Sequence, residues 1–350
     1  MKILAIETSC DETGAAIIEG DKNDTKVKLL SNSLASSLVL HSKTGGIIPE
    51  VAAREQVKFI IPVIKEALRE EKIEDINAIA VTVGPGLIGS LLVGVETAKT
   101  LAFVYKKPII PVNHLFGHIY ANFITDKQQS GIGNQEYEVE FPAIALVVSG
   151  GHTDLVLIKN HKDIKWLGGT RDDAAGEAFD KIGRLLDLPY PGGPSIEKSA
   201  ALGNPKRFNL PKPLIDSNDF DFSFSGLKTA ALREIIKLKD SGSGKLSEED
   251  TNDICACLQK AIIDVLIYKT LKAAKEYKVK SILLGGGVSA NQKLRDELKS
   301  AIGNQQSLNL FVPSKNLCTD NAAMIASAAF FNYEEKSWKE ITANPELYFD

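Results

Sequence analysis

Apolar and polar positions alternate over the first residues of the chain and then give way to a polar turn. The stretch "KILAIETS" is followed by the apolar run "GAAIIEG", a pattern that predicts a β-hairpin with a Ser-rich bend. Residues 47–71 have the spacing of a long amphipathic helix, which we expect to be interrupted near Pro62. The stretch "AIAVTVGPG" (78–86) then predicts a strand that leads into a helix with small residues on one side.

The same kinds of element return in the second half of the chain. "AIALVVSGGHTDLVLI" predicts a strand, a glycine-rich turn and a second strand. "KSILLGGGVSANQKLRDEL" predicts a strand, a glycine turn and a helix that starts near Ser289, after an earlier helix over 251–276. The polar stretch 125–140 is predicted to be a loop at the boundary between two lobes. We therefore expect a duplicated α/β architecture with a cleft between its lobes. The expected lobes are residues 1–125 plus 319–350, and residues 126–318 with helical insertions.

The composition agrees with two folded lobes. A chain of 350 residues with 44% hydrophobic content can bury two cores, because single cores stop growing below this length. The first residues lack a basic region before an apolar stretch, and no apolar run of about 20 residues follows, so neither a signal peptide nor a membrane span is expected. The four cysteines do not form a disulfide framework, and the expected location is the reducing cytoplasm.

The distribution of charge leaves nucleic acid as an open partner. The formal net charge of -4 argues against a protein that binds nucleic acid by charge alone. Residues 198–239 nevertheless contain eight Lys and Arg against four Asp and Glu, and residues 251–300 contain nine against five. Such runs form solvated helix surfaces more often than binding faces.

Two glycine-rich turns are candidate sites for an anion or a nucleotide. In "VVSGGHT", Ser149, Gly150 and Gly151 lie between two apolar strands, where glycine lets backbone N–H groups approach a ligand. A plain hairpin is the simpler interpretation of that turn. In "LLGGGVSAN" (283–291), three glycines between a strand and a helix open the turn to a base or a phosphate. The G-x-G-x-x-G and G-x-x-x-x-G-K-[ST] fingerprints are both absent.

Acidic residues crowd the predicted helix that lies between these two turns. Asp172 and Asp173 are explained by a favourable interaction with the helix macrodipole. Glu177 and Asp180 share one helix face with Asp173, with space for the hydroxyl groups of a ligand. The "PYPGGPS" that follows predicts a rigid turn with unhindered backbone at Gly193.

Two of the five histidines lie one helical turn apart in "NHLFGHIYANF". His114 and His118 are therefore on one side of a helix and can reach the same ion. Zinc proteases with this spacing carry Glu directly after the first His, and Leu115 stands there instead, so protease chemistry is unsupported. Asp320, before a helix of small residues, offers a further ligand. The alternatives are a pair of packed structural histidines and an Asp320 that only caps its helix.

Eight motifs occur in one order between residues 5 and 326, and together they carry a resemblance. They are "AIETSCDET", "HLFGHIYAN", "VSGGHTDL", "AAGEAFDK", "PYPGGP", "FSFSGLKTA", "GGGVSAN" and "CTDNAAMIA". Almost end to end, the chain resembles the TsaD family, and "HSKTGGIIPEVAAREQ" is similar to its bacterial branch. The resemblance implies the actin, Hsp70 and sugar kinase (ASKHA) architecture, an α/β fold of two RNase H-like lobes with a central cleft.

The resemblance also implies an activity. Members of the family are acyltransferases that move the threonylcarbamoyl group of threonylcarbamoyl-AMP to N6 of adenosine 37 in tRNAs reading codons that begin with A. The product is N6-threonylcarbamoyladenosine (t6A), and AMP is released. The resemblance further implies one divalent metal ion, iron or zinc. It implies as partners tRNA, an inactive paralogue (TsaB type) and a small ATPase (TsaE type), with no membrane.

The resemblance places the site on particular residues of this chain. The metal ligands of the family match His114, His118 and Asp320. Its substrate-binding positions match Val147, Val148, Ser149, Gly150, Gly151, Asp180, Gly193 and Asn291. Glu197 stands where bacterial members often have Asp, and its longer side chain changes the geometry of a hydroxyl contact. A metal ion so held would polarise the carbamoyl group as a Lewis acid. Asp11 and Glu12 in "TSCDET" are candidates for the general base.

Two contact surfaces and two competing functions complete the expectations. The apolar stretch 47–71 is our candidate interface for the paralogue, with Ile60 and Ile64 as test positions, and the basic stretch 198–239 is our candidate for tRNA contacts. One competing function is an ATP-dependent phosphotransferase with Mg²⁺ at the opening acid of "ETSCDET", although two histidines are poor ligands for that ion. The other is a metal-stabilised scaffold that binds adenine nucleotides without chemistry.

Overall fold

The computed structural model describes residues 1–125, 138–241, 244–303 and 308–349. Most of the predicted loop over 125–140 lies outside these residues. The chain divides into two compact units. Unit 1 consists of Met1–Val139, Asn160–Ile164 and Phe311–Asp350, and unit 2 consists of Glu140–Lys159 and Lys165–Leu310.

The strands and helices alternate along the chain. The strands are β1 Lys2–Glu7, β2 Glu12–Glu19, β3 Val27–Ser36, β4 Ala78–Gly84, β5 Ile109–Asn113, β6 Ile124–Thr125, β7 Ala143–Val148, β8 Thr153–Asn160, β9 Asp163–Gly169, β10 Ser281–Gly285 and β11 Asn309–Phe311. The helices are α1 Leu38–Thr44, α2 Pro49–Ala67, α3 Ile88–Tyr105, α4 His114–Tyr120, α5 Ala175–Leu185, α6 Gly192–Ala200, α7 Ser225–Ser241, α8 Glu248–Glu276, α9 Gln292–Ile302 and α10 Ala322–Phe331.

The sheet of unit 1 has the strand order β5-β4-β1-β2-β3-β6. The strands β1 and β2 form the predicted antiparallel hairpin, in a register that runs from Lys2 opposite Glu19 to Glu7 opposite Gly14. By contrast, β4 is parallel to both β1 and β5. The carboxyl ends of these three parallel strands therefore lie at one edge of the sheet, where α/β folds place their sites.

The sheet of unit 2 repeats this plan. Its order is β11-β10-β7-β8-β9. If the strands of each unit are counted from one in chain order, the first five strands of both sheets lie in the order 5-4-1-2-3. The hairpin β7–β8 is antiparallel, and β10 is parallel to β7. The repeated order confirms the predicted duplicated α/β plan with two RNase H-like lobes.

The helix α2 corrects two expectations. Ile60 and Ile64 are only 5% exposed and lie in the apolar core of unit 1, so neither is available to a partner. The helix also continues through Pro62, where an interruption was expected. Pro62 is exposed, so water can hydrate the carbonyl group of Lys58 that loses its partner in the helix.

The helix α3 is long and apolar enough to cross a membrane by length and composition alone, with a mean hydropathy of 1.3 over 18 residues. This corrects the expectation that the chain has no such stretch. The core helix of a globular domain passes the same test, and Leu91, Val95 and Ala98 of α3 are fully buried in unit 1. We therefore assign the buried face of α3, a third of its residues, to the core of unit 1.

Candidate functional site

The two histidines lie on a short helix that starts where β5 ends. The side chain of Asn113, the last residue of β5, accepts a hydrogen bond from the backbone N–H of Leu115 and caps α4. His114 and His118 follow on one side of α4, with ring centroids 4.7 Å apart. Both are buried, so their ring nitrogens are shielded from bulk water.

Asp320 brings a carboxylate to the same place. The N-cap of α10 is Asn321, whose side chain accepts the N–H of Met324 at 3.0 Å, so the expectation of a purely capping Asp320 is wrong. The Oδ1 atom of Asp320 lies 3.4 Å from Nε2 of His114 and 3.3 Å from Nε2 of His118. One carboxylate oxygen therefore faces both imidazoles.

The spacing of these atoms fits a shared metal ion. One ligand atom from each of His114, His118 and Asp320 lies within 4.8 Å of the others. Two ligand atoms that are each about 2.1 Å from an ion, at an angle of 90–110°, are about 3.0–3.4 Å apart. Apart from the contact of Nε2 with Asp320, the buried ring nitrogens of His118 have no hydrogen-bond partner among the described residues, which leaves Nε2 to a ligand. Imidazole with a carboxylate suits iron or zinc and is a poor donor set for Mg²⁺.

Glu7, at the carboxyl end of β1, orients the first histidine. Its Oε2 lies 3.2 Å from Nδ1 of His114, and its Oε1 accepts the N–H of Ser9 at 2.6 Å. The hydroxyl of Thr82, from β4, donates to the same carboxylate. When Nδ1 of His114 carries the proton, Nε2 presents its lone pair toward Asp320, as in the carboxylate–histidine arrangements of metal sites. Because Glu7 is occupied in this way, the structure does not support it as the magnesium acid of a phosphotransferase.

The charges of this cluster depend on one another. Burial lowers the pKa of His114, but the carboxylates of Asp320 and Glu7 outweigh it and raise that pKa well above its usual value. Burial also lowers the pKa of His118. For Asp320, burial acts to raise the pKa, but the charge of His114 and the bonds from both histidines hold it far below its usual value. The raised pKa of His114 means that the cluster favours a bound proton, which a metal ion would displace on binding.

A buried glutamine holds the adjoining loop, which carries both candidate bases. The Nε2 group of Gln56, on α2, donates to the carbonyl oxygens of Thr8 at 3.3 Å, Cys10 at 2.9 Å and Glu12 at 3.1 Å. Sequence reasoning missed this residue. A signal was present, because Gln56 is a polar residue on the otherwise apolar face of α2 that contacts the core.

Asp11 and Glu12 lie in that loop, beside Asp320. The backbone carbonyl of Asp11 accepts both the N–H and the hydroxyl of Ser37, at 3.1 and 2.9 Å. Burial, with the charges of Asp320 and Asp11, raises the pKa of Glu12 to about 10. A cation bound at Asp320 would lower that pKa, because it would offset the nearby negative charges.

The first glycine-rich turn of unit 2 joins β7 to β8. The backbone N–H of Ser149 donates to the carbonyl of His152 at 2.8 Å, and the N–H of His152 donates back to the Ser149 hydroxyl at 3.2 Å. A Cβ atom added at Gly150 or Gly151 would meet no atom within 4 Å. Packing therefore does not require glycine at either position. The open space lets a ligand approach the backbone. The N–H of Gly176 in α5 donates to the carbonyl of Ser149 at 3.1 Å, so the start of α5 lies beside the turn.

The second glycine turn follows β10, which is parallel to β7. Gly286 adopts a φ of 87°, and a Cβ there would overlap the carbonyl group of Val148, so only glycine fits this close approach. The helix α9 begins after Asn291, slightly later than the expected start near Ser289, because residues 287–290 form a short 3₁₀ helix. Asn291 accepts the N–H of Leu294 at 3.0 Å and donates to Gln259 at 2.8 Å.

Two carboxylates join the helices that adjoin these turns, since Asp180 links α5 to α6 and Glu197 links α6 to α9. Asp180 accepts the N–H of Gly192 at 2.7 Å, and burial raises its pKa despite that bond. Glu197 accepts the N–H of Gln292 at 2.7 Å, so it holds the start of α9. A Cβ at Gly193 would meet no atom within 4 Å, as expected for unhindered backbone.

The other acidic residues of this region have structural roles. Lys181 pairs with Asp173 at 2.7 Å and with Glu177 at 2.9 Å, so it fills the space expected for a ligand's hydroxyl groups. Asp172 precedes α5 and accepts the N–H groups of Phe224 and Ser225 at 2.8 and 3.2 Å. It therefore caps α7, and the expected interaction with the dipole of its own helix is wrong.

The predicted site residues form two groups, each within one unit. Unit 1 brings together the histidines, Asp320 and the loop with Asp11 and Glu12. Unit 2 contains the residues expected to bind substrate, on two glycine turns and on the helices that Asp180 and Glu197 join. The buried Glu7 and Gln56 join the first group.

Comparison with known proteins identifies the family of the chain. The family model TsaD, tRNA N6-adenosine threonylcarbamoyltransferase, matches residues 28–327. The chain belongs to this family. It is 47% identical over 349 residues to the tRNA N6-adenosine threonylcarbamoyltransferase of Moorella thermoacetica, covering 99% of this chain and 96% of that protein. The enzyme of the same name from Syntrophomonas wolfei is 47% identical over 344 residues, covering 98% and 95%. This TsaD enzyme therefore forms t6A in tRNA.

Solved structures of lower identity share the fold. The structure of full-length HypF in its phosphate- and nucleotide-bound form matches 95% of the TsaD chain with a TM-score of 0.58 and 13% identity. HypF from T. kodakarensis matches 94% with a TM-score of 0.57 and 13% identity. The TsaD chain spans about half the length of each, 46% and 47%. At this identity the likeness shows the fold alone, which is the expected two-lobed ASKHA-like architecture.

Proposed function

We propose that this TsaD enzyme takes the threonylcarbamoyl group from threonylcarbamoyl-AMP and transfers it to N6 of adenosine 37 in tRNAs that read codons beginning with A. The carbon–oxygen bond to phosphate breaks, a carbon–nitrogen bond to adenine forms, and AMP leaves. The observation that carries the proposal is the arrangement of the buried His114 and His118 with the half-buried Asp320, supported by Glu7. A divalent ion, iron or zinc, would supply Lewis acidity toward the carbamoyl group there, worth several kcal/mol.

The residues of unit 1 would prepare that centre. Glu7 holds Nδ1 of His114, so the imidazole keeps one tautomer and one orientation. Gln56 fixes the loop that carries Asp11 and Glu12, our candidates for the group that accepts the proton of the adenine amine. Burial of the histidines excludes water from the ligand atoms, which strengthens electrostatic interactions at the centre.

The residues of unit 2 would bind the adenylate part of the donor. In the stretch from Val147 and Val148 to Gly151, the backbone N–H groups of Gly150 and Gly151 would hold the phosphate, since that of Ser149 is bonded to His152. The turn before Asn291 would seat the adenosine. Asp180 and Glu197 each accept one backbone N–H, and a carboxylate has further lone pairs for a hydroxyl of ribose or threonine.

Substitution at the first turn tests its role directly. We expect Gly151→Val to fold normally, because its Cβ would meet no atom within 4 Å, yet to bind AMP roughly tenfold more weakly, a change of about 1.4 kcal/mol. Isothermal titration with AMP measures the difference. Gly226→Ala, on open surface of the same unit, is the matched control. Equal AMP affinity in all three proteins would remove the turn from the binding site.

We propose that the exposed face of α2 and α3 binds the TsaB-type paralogue. Val57 and Ile61 are 63% and 49% exposed, and Ile88 and Leu92 are 50% and 45% exposed. Each pair is separated by one helical turn, so each forms an apolar stripe of the kind that marks protein interfaces. As the candidate interface for the paralogue, this exposed face replaces Ile60 and Ile64, which are buried.

The double substitution Val57→Asp, Ile61→Asp should abolish co-purification of the paralogue and leave the fold intact, because both side chains already contact water. Ile60→Asp should unfold the chain, since it places an unpaired charge in the core. Pull-down combined with circular dichroism distinguishes the two results. Retention of the paralogue by the folded double variant would contradict the interface.

For tRNA, we propose that phosphate contacts come from cations of the stretch 198–239. Three of its eight basic residues are ion-paired within the described part of the chain: Arg207, Lys212 and Lys237. Five have no ion pair there: Lys198, Lys206, Lys228, Arg233 and Lys239. These five are available to phosphates. A small ATPase of the TsaE type completes the proposed partners, and the proposed location is the cytoplasm.

One assay separates the proposed transfer from the competing functions. The purified chain with its partners should move labelled threonine from threonylcarbamoyl-AMP into tRNA and release AMP. Phosphate transfer from ATP to an acceptor, without label in tRNA, would favour the phosphotransferase. Nucleotide binding with neither reaction would favour the scaffold.

A further inference from the structure

The segment of residues 344–349 lies against the parts of unit 1 that carry the candidate metal centre. Its backbone makes two hydrogen bonds to the turn after β4, from the N–H of Asn344 to the carbonyl of Val83 at 2.7 Å and from the N–H of Gly86 to the carbonyl of Pro345 at 3.3 Å. A Cβ at Gly84 would overlap the carbonyl oxygen of Asn344. Glycine at that position therefore permits the close approach of the segment.

The same segment also contacts the helix that carries both histidines. The Nδ2 group of Asn113 donates to the carbonyl of Tyr348 at 2.5 Å, while its Oδ1 caps α4. Phe349 is buried, and its ring centroid lies 5.7 Å from that of Phe116, which stands between the histidines in the sequence. The segment thus contacts α4 at its first turn and at the residue between its two metal-ligating side chains.

The turn after β4 connects to the centre as well. The carbonyl of Ser9 accepts the N–H of Leu87 at 2.8 Å, and a Cβ at Gly86 would lie 2.5 Å from that carbonyl oxygen. The hydroxyl of Ser9 lies 3.2 Å from Nδ1 of His114. One side of the turn therefore contacts segment 344–349, and the other contacts a residue that adjoins the first histidine.

From these contacts we propose that segment 344–349 is a positioning element for the metal centre. The segment holds α4 through Asn113 and Phe116. It also holds the turn after β4 against Ser9. Together these contacts keep Nε2 of both histidines directed at Asp320. None of its residues contacts the ligand atoms, so it acts through the residues that do. The proposal rests on the metal centre of the proposed function.

The test measures metal binding by the full chain, with Co²⁺ and Zn²⁺ as probes. Asn113→Ser keeps a side-chain oxygen to cap α4 but removes the amide donor to Tyr348. Phe349→Ala removes the ring that packs on Phe116, and Phe349→Leu is the conservative variant if the smaller side chain prevents folding. Trp338→Ala is the matched control, because that ring packs on Phe103 of α3.

We expect Asn113→Ser and Phe349→Ala to bind Co²⁺ and Zn²⁺ roughly tenfold more weakly than the wild type, with Phe349→Leu partly restored, as for residues that orient metal ligands. The visible absorption bands of bound Co²⁺ should also shift, since they report coordination geometry. Trp338→Ala should keep both affinity and spectrum. Wild-type affinity and spectrum in folded Asn113→Ser and Phe349→Leu would overturn the proposal. A wild-type chain that binds neither ion would instead overturn the metal centre and, with it, this role.

Discussion

Asp320→Asn should slow threonylcarbamoyl transfer to tRNA by roughly 10³-fold, because Lewis-acid stabilisation is worth several kcal/mol and each 1.4 kcal/mol or so changes a rate tenfold. The substitution keeps the shape of the side chain and removes the anionic oxygen that lies 3.4 and 3.3 Å from the two imidazoles. Single-turnover transfer of labelled threonine measures the rate, and elemental analysis measures the bound metal.

The control for Asp320 is a carboxylate of unit 1 that lies away from the centre. Asp75 is exposed, and Asp75→Asn should keep full activity and full metal content. Since Asn321 caps α10, Asp320→Asn should also remain folded, and its thermal transition should show this. Undiminished transfer by folded Asp320→Asn would exclude the proposed metal chemistry.

Glu7→Gln should reduce the affinity for zinc or iron by roughly 10–100-fold, the range for residues that orient metal-bound histidines. The amide keeps one oxygen, which can accept from Ser9, but its NH2 group cannot accept the bonds that Thr82 and Nδ1 of His114 make to the second carboxylate oxygen. The negative charge beside Nδ1 of His114 is also lost. The imidazole of His114 then donates less electron density to the metal ion and is held less firmly in its orientation. Competition with a chromogenic chelator measures the affinity.

Glu71→Gln is the matched control for Glu7. Glu71 pairs with Lys2 at 2.7 Å, at the opposite end of β1 from Glu7. Its replacement should change metal affinity less than twofold, because this half-buried pair lies far from the ligands along the strand. Equal losses from both substitutions would indicate that the effect of Glu7 is a general weakening of the sheet.

Local sequence patterns were sufficient to predict much of the fold. The alternation in "KILAIETS" and "GAAIIEG" predicted the hairpin β1–β2, and the glycine turn after "SILL" predicted β10 and the helix that follows it. Pro62 misled the prediction, because a proline on the exposed side of a helix loses one hydrogen bond that water can replace. The interface positions Ile60 and Ile64 were wrong for a related reason. Amphipathic spacing shows that a helix has an apolar face. It does not show whether that face is covered by the core of its own unit or by a partner protein.

For the candidate site, the cluster of His114, His118 and Asp320 was predictable and its support was not. The spacing of the two histidines allowed a shared ion, with packed structural histidines as the alternative, and Asp320 was the candidate third ligand. Glu7 contacts His114 across 107 positions of sequence, through strands whose order must be known first. Given the parallel order of β1, β4 and β5, their carboxyl ends place Glu7, Thr82 and Asn113 at one edge, and the link then follows.

The most direct test of the account compares one wild-type preparation in three forms: as purified, stripped by a chelator, and reloaded with one equivalent of zinc or iron. Each form, with its partner proteins, is given threonylcarbamoyl-AMP labelled in threonine and unmodified tRNA, and the label in t6A is counted after nuclease digestion. The account predicts labelled t6A from the first form, almost none from the second and recovery in the third. Equal labelling by the stripped chain would contradict it.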